Sequence, residues 1–136
     1  MTEIHTGTAI MTVDVMNLFI RECDAEVYEP AGHTGTFNRR LVGPTQGAKH
    51  LEVVIGTIDP GQGASPHFHP GIDQFCYMLD GEAEVTIGET RRVIKQGESC
   101  FFPAEMQHIF VAKGVKPIRV LVVYGPPYGE GARVDL

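Results

Sequence analysis

Residues 61–81 read Gly61-Gln62-Gly63-Ala64-Ser65-Pro66-His67-Phe68-His69-Pro70-Gly71-Ile72-Asp73-Gln74-Phe75-Cys76-Tyr77-Met78-Leu79-Asp80-Gly81. Two histidines stand two residues apart at the centre, just after a Gly/Pro-rich turn. In a strand, such residues point to the same face with Cα atoms about 6.5–7 Å apart. Two imidazoles at that spacing can converge on one metal ion about 2.0–2.2 Å from each ring nitrogen, with Phe68 turned away. Gln74 lies five residues beyond His69, an odd offset that would place it on the opposite face of an unbroken strand. Pro70-Gly71 interrupts the strand and resets its register. Gln74, Cys76 and Met78 then share one face, and Phe75, Tyr77 and Leu79 the other. A His-x-His pair alone is more often two ordinary rings than a ligand pair, so the rest of the chain must decide.

Outward from this stretch, short runs rich in Val, Ile, Phe, Thr and Tyr alternate with Gly and Pro, the rhythm of an all-β domain. The runs predict strands over Leu51–Ile58, Gln74–Leu79, Ala83–Ile87, Arg91–Lys95, Cys100–Phe102, His108–Val111 and Ile118–Tyr124. Asp80-Gly81 predicts a tight connection into Ala83–Ile87, because glycine accepts positive φ at no steric cost. Gly88-Glu89-Thr90 predicts a hairpin into Arg91–Lys95. His108 opens a strand with Phe110 and Ala112 on its face, and closure of a barrel can bring that face to the same ion as His67 and His69. The first 45 residues are less regular. Asp14–Ile20 is a helical turn or a strand, Ala31–Gly35 a loop, and Phe37–Val42 a strand. Pro126 and Pro127 donate no ladder bond, so the tail from Gly125 is not expected to continue a sheet.

At 136 residues the chain is one ordinary domain with room for a hydrophobic core. Its net charge of -6 argues against a nucleic-acid partner and against attraction to an anionic membrane. No apolar run of about 18 residues is present to span a bilayer. Met1-Thr2-Glu3-Ile4-His5 lacks the basic-then-apolar pattern of a secretory leader. Cys23, Cys76 and Cys100 are scattered and form no Cys-x-x-Cys pair, which reads as reduced thiols. The expectation is a cytoplasmic protein.

The joint spacing resembles the cupin superfamily. That family's first motif runs Gly, five residues, His-x-His, three or four residues, Glu, six residues, Gly. Gly61, His67, His69 and Gly81 fill their places, with Gln74 where Glu is usual. The second motif runs Gly, five residues, Pro-x-Gly, two residues, His, three residues, Asn. Gly97, Pro103 and His108 fit it, whereas Glu105 replaces the inner Gly and Ala112 the Asn. The resemblance implies a small single-domain jelly-roll barrel over 46–125. An N-terminal extension over 1–45 would pack on or swap into a homodimer partner, and 126–136 form a tail. It also implies one divalent transition-metal ion (Fe, Mn, Ni, Zn, Co or Cu) on His67, His69, Gln74 and His108. Asp73, one residue early, is the rival ligand, but its spacing to Gly81 is then seven. Three imidazoles and an amide are all neutral, so the ion would keep its full charge, a stronger Lewis acid and a weaker binder than with a carboxylate.

Of the other residues, His33 reads as a solvated loop histidine, or else as an acid or base reaching the pocket, and His50 as ambiguous. Tyr77 and Tyr124 read as core residues, and Glu105 as a charged turn. Arg39-Arg40 reads as an exposed basic pair, or else a clamp for a substrate carboxylate. The function implied by the resemblance is a metal-dependent enzyme acting on a small oxygenated molecule (carbonyl, enol or aromatic), either dioxygenase-like or a lyase or isomerase. A binding cupin that holds a small ligand without turnover is the alternative.

Overall fold

The structure is a computed structural model and describes residues 2–6, 9–13, 15–129 and 133–136. Twelve strands follow in chain order: β1 Thr2–Thr6, β2 Ala9–Val13, β3 Glu26–Tyr28, β4 His33–Val42, β5 Glu52–Phe68, β6 Asp73–Asp80, β7 Glu82–Ile87, β8 Thr90–Lys95, β9 Ser99–Phe102, β10 His108–Lys113, β11 Ile118–Gly125 and β12 Val134–Asp135. Short 3₁₀ turns occupy Val15–Leu18, Glu22–Asp24 and Pro44–Gln46. No helix among the described residues is long and apolar enough to cross a membrane.

One antiparallel sheet of ten strands carries the order β8-β7-β10-β5-β11-β6-β9, with β4 and β12 also on β5 and β3 on β4. It curls into a nearly closed, cupin-type jelly-roll barrel. The 17-residue β5 serves both halves. Its first part, Glu52–Ile58, pairs with β11, and its second part, from Gly63 to His67, pairs with β10. Between them the register with β4 jumps from Thr36↔Ile58 to Thr34↔Gly63. The insertion at Asp59-Pro60-Gly61-Gln62 is a bulge, which bends a strand and sharpens its twist.

The alternation expected from sequence is present. Gln74, Cys76 and Met78 face inward on β6, and His108, Phe110 and Ala112 do so on β10. With Val54, Ile118, Val120 and Phe102 they fill the interior. Ile87 pairs with Thr90, so Gly88-Glu89 is a two-residue hairpin loop. Gly81 takes φ 84 and passes the chain tightly from β6 to β7, which lie in different halves and do not pair.

The irregular regions differ from expectation in two places. The segment read as a loop over Ala31–Gly35 is strand from His33 onward, because Thr34 and His33 find partners at Gly63 and Ala64. The main sheet therefore draws in β3 and β4, ahead of residue 46. At the other end, β11 stops at Gly125 before a cis Pro126. Beyond the prolines, however, the chain returns to the sheet, pairing Val134 with Phe68 and Asp135 with His67. Asp14–Ile20 holds the 3₁₀ turn Val15–Leu18, Asp14 lying outside the described residues. β1 and β2 form a separate hairpin.

Gly63 is where β10 crosses the second part of β5 most closely. It has φ 148, and a Cβ there would sit 2.1 Å from the Phe110 carbonyl oxygen. Gly63→Ala must therefore push the two strands apart or strain the backbone, a cost of at least about 1–3 kcal/mol. We expect a lowered denaturant midpoint in an equilibrium unfolding titration, and a smaller drop, about 1 kcal/mol, for Gly71→Ser, where φ is 70 but a Cβ meets no neighbour.

Candidate metal centre

The three histidines arrive from separate elements. His67 is the last residue but one of β5, His69 sits in the turn after it, and His108 begins β10 directly opposite His67. Their ring centroids lie 4.8 Å (His67–His69), 4.2 Å (His67–His108) and 5.4 Å (His69–His108) apart. One ligand atom from each falls within 4.8 Å of the others, and all three residues are buried. Gln74 enters the same cavity from β6.

Hydrogen bonds fix which atoms face the centre. His67 Nδ1 lies 2.6 Å from the Ser65 carbonyl oxygen, and His108 Nδ1 3.0 Å from that of Met106. A carbonyl only accepts, so each Nδ1 carries the proton and each Nε2 presents a lone pair. Gln74 Nε2 donates to Cys76 Sγ at 3.6 Å, which turns Oε1 away from the sulfur. His108 Nε2 and Gln74 Oε1 are buried without any protein hydrogen-bond partner. Each such atom costs about 1–3 kcal/mol if left unsatisfied. A shared cation satisfies lone pairs that have no donors, and neutral nitrogen and oxygen donors suit divalent transition metals. The cluster fits a metal site. Asp73 instead sits on the exposed face of β6, where its carboxylate accepts the Ala104 N–H at 3.0 Å.

The surroundings hold the donors still. Phe102 stacks on His108 with centroids 4.0 Å apart. Glu105 stands where the motif has glycine and takes φ 68. Its N–H donates to the His69 carbonyl at 3.2 Å and its carboxylate accepts the Gly71 N–H at 2.5 Å. More than a charged turn, it fastens the loop before β10 onto the His69–Gly71 turn.

Four residues near the site were not legible in the sequence as such. His33, expected in solvent, lines the cavity with its ring 6.1 Å from that of His67 and its Nδ1 buried. The reason is the upstream extension of β4. Tyr128 packs edge-on against His69 at 4.6 Å. Its N–H and that of Gly129 both donate at 2.8 Å to Oε1 of Glu52, a fully buried carboxylate. Arg133 is buried beside His33, donating to Asp135 and to the Ala31 carbonyl. Arg40 binds Glu52 and Glu26, both at 2.8 Å, and lies over the Tyr28 ring. Arg39 donates to the Glu22 carbonyl at 3.2 Å. The Arg39-Arg40 pair is thus neither a free basic pair nor a substrate clamp. His50 is exposed, Tyr77 lies half-exposed on the outer face, and Tyr124 is in the core. The cavity itself is narrow, about 30 Å³, with mostly apolar walls that include Ile58, Phe110, Val120 and Val122 and a polar side at Thr36 and Asn38.

The cupin domain family matches residues 54–124, and this chain belongs to it. Protein SchB of Streptomyces halstedii is 28% identical over 65% of this chain and 64% of its own length. The polyketide synthase CurC of Streptomyces cyaneus is 27% identical over 78% of this chain and 70% of its own. The chain thus spans about two thirds of each of these relatives. Among solved structures, the polyketide cyclase RemF from Streptomyces resistomycificus superposes with a TM-score of 0.69 at 23% identity, covering 79% of this chain and 78% of that one.

Burial is the main influence that lowers His67 to about 3 and both His33 and His108 to about 4, reinforced by neighbouring imidazoles and Arg133. Their ordinary value is near 6.5, so below it the unfolded chain takes up protons that the folded chain refuses. Without metal, stability should hold steady above pH 6.5 and fall as pH drops through 6.5 toward 4. Each of the three groups adds a slope of about 1.4 kcal/mol per pH unit. Urea midpoints at pH 7.5, 6.5, 5.8 and 5.2 test this. His33→Asn should flatten the slope, and a midpoint independent of pH over this range would refute it.

Proposed function

We propose that this cupin is a metal-dependent enzyme that transforms a small oxygenated molecule without net oxidation, one divalent transition-metal ion being held by Nε2 of His67 and His108, a ring nitrogen of His69 and Oε1 of Gln74. The observation that carries the reading is the pair of buried acceptors, His108 Nε2 and Gln74 Oε1, unpartnered beside two further imidazoles. When bound, such an ion supplies Lewis acidity to a carbonyl or enol oxygen. The chain's own residues do the remaining work. The Ser65 and Met106 carbonyls hold two imidazoles in the tautomer that presents Nε2. Tyr124 and Tyr128 cover His69 and keep water off that side. At about 30 Å³ the cavity admits only the oxygen-bearing end of a substrate, between apolar walls and a polar side formed by Thr36, Asn38 and His33. The all-neutral donor set leaves the ion its full charge, which favours Lewis-acid chemistry. Likeness to a polyketide synthase component and to the fold of a polyketide cyclase supports substrates rich in carbonyl and enol oxygen.

Elemental analysis of the purified protein should find close to one divalent ion per chain. His67→Ala/His69→Ala should lose it, and retention there would remove the assignment. Gln74→Glu should tighten metal in a competition titration by adding a charged oxygen donor. A panel of enediols, β-dicarbonyls and phenolic ketones, run with and without O₂ on Fe-, Mn-, Ni- and Zn-loaded protein, should show turnover independent of O₂. Oxygen uptake would select a dioxygenase, and tight binding without product under every metal would leave a binding protein.

The chain also fits a homodimer. Phe37, Phe75, Tyr77 and Phe101 expose an apolar outer face of the sheet, and the β1–β2 hairpin pairs with no other strand among the described residues. Apolar sheet surfaces of this kind are usually covered. Light scattering should return twice the chain mass, and Phe75→Lys/Phe101→Lys should return the monomer.

A further inference from the structure

Cys76, in the wall of the metal pocket, faces Cys100 on the neighbouring strand, and the chemistry above uses neither as a thiol. Cys76 on β6 and Cys100 on β9 are direct cross-strand partners. Both are free, and their thiols contact each other. The Met78 N–H donates to the Glu98 carbonyl at 2.9 Å, which marks a hydrogen-bonded pair. Alternation along the ladder puts Cys76 and Cys100 at the same kind of pair, with Cα atoms about 5.5 Å apart. That separation lies within the range a disulfide spans, about 4.4–6.8 Å. Directly opposed Cβ atoms stand about 4.5–5.5 Å apart, against the 3.5–4.5 Å or so of a disulfide. Closing the bridge therefore draws β6 and β9 together by about an ångström, and a bridge under strain is a reducible one.

Access to the two sulfurs is unequal. Cys76 is buried, 2% exposed, and lines the metal cavity. Cys100 is half-buried and opens into a different cleft of about 520 Å³, walled by β7, β8 and β9. A small oxidant can reach Cys100 from that cleft without passing the metal site.

We propose that Cys76 and Cys100 are a modification site, a reversible disulfide whose closure loosens the metal pocket. With a peroxide as oxidant, Cys100 sulfur attacks the O–O bond. An S–O bond forms, the O–O bond breaks, and the leaving oxygen departs as water after protonation. Cys76 sulfur then attacks the sulfenic sulfur, giving up its proton. The S–S bond forms, the S–O bond breaks and a second water leaves. Two thiols lose two electrons and two protons, one peroxide becomes two waters, and a dithiol reverses the change.

The effect on the pocket follows from what the two strands carry, and this half of the proposal rests on the metal reading. Cys76 Sγ is the acceptor for Gln74 Nε2. Gln74 and Phe102 are the next pair of the same kind along the ladder, and Phe102 stacks on His108. Drawing Cys76 toward Cys100 withdraws the sulfur that orients the Gln74 amide and shifts the ring against His108.

The test uses the full chain with the exposed Cys23 replaced, Cys23→Ser, so that only these two thiols remain. Equimolar hydrogen peroxide should abolish both thiols in a colorimetric titration, with the mass falling by two hydrogens and dithiothreitol restoring both. Adding Cys100→Ser should prevent that mass change. Zn²⁺ affinity of the oxidised form should be about three- to tenfold weaker than that of the reduced form, the scale of one lost hydrogen bond. Two titratable thiols after oxidation, or bridges only between chains, would overturn the site. A bridge that forms with unchanged Zn²⁺ affinity would overturn the coupling. A reduced protein that takes up no Zn²⁺ would overturn the metal reading and the coupling with it, while the thiol count still judges the bridge.

Discussion

The pairing of His67 with His108 across β5 and β10 is the constraint on which the rest depends. It holds because β10 lies close along the second part of β5, and that approach needs a residue without a Cβ at Gly63. The Asp59–Gln62 bulge lets one strand serve two halves of the barrel, so that its first part meets β11 and its second part meets β10. The site is a product of this bend together with two registers.

Once the histidines converge, the problem becomes one of buried polarity. In a narrow, mostly apolar cavity, His108 Nε2 and Gln74 Oε1 are buried with no hydrogen-bond donor, close beside two further imidazoles. Unsatisfied buried groups are costly, and their concentration at one point in an otherwise well-paired structure marks where binding energy is stored. Protonation cannot relieve it, because burial holds His67 and His108 neutral. A cation can, and the same burial that keeps protons away leaves the nitrogens free for it.

Segments far from the ligands then build the walls. Glu52, the first residue of β5, reaches Tyr128 and Gly129 through one oxygen and Arg40 through the other. The carboxylate so sets the chain after β11 against His69. Glu105 does the equivalent for the loop ahead of β10, accepting a left-handed backbone in exchange for two hydrogen bonds to the His69–Gly71 turn. This explains how the family's glycine can be absent here. The left-handed conformation is retained, and the side chain that strains it also secures it.

The positions of β6 to β11, the inward face of Gln74, Cys76 and Met78, the hairpin at Gly88-Glu89 and the three clustered histidines were legible in the sequence. Each depends on a local rule, whether the two-residue period of a strand, the turn preferences of glycine and proline, or a fixed motif spacing. His33, Glu52, Tyr128 and Arg133 were not. Their roles arise from pairings between residues far apart in the chain. β4 extends upstream because Thr34 meets Gly63. Arg133 sits beside the site because β12 returns to Phe68 and His67. Glu52 matters because two of its donors, Tyr128 and Gly129, lie more than seventy residues away. Local backbone preference carries no information about which distant segment will supply a strand's partner or a carboxylate's donors. The sequence alone determined the barrel and its histidine centre, and only the closed sheet decided what surrounds that centre.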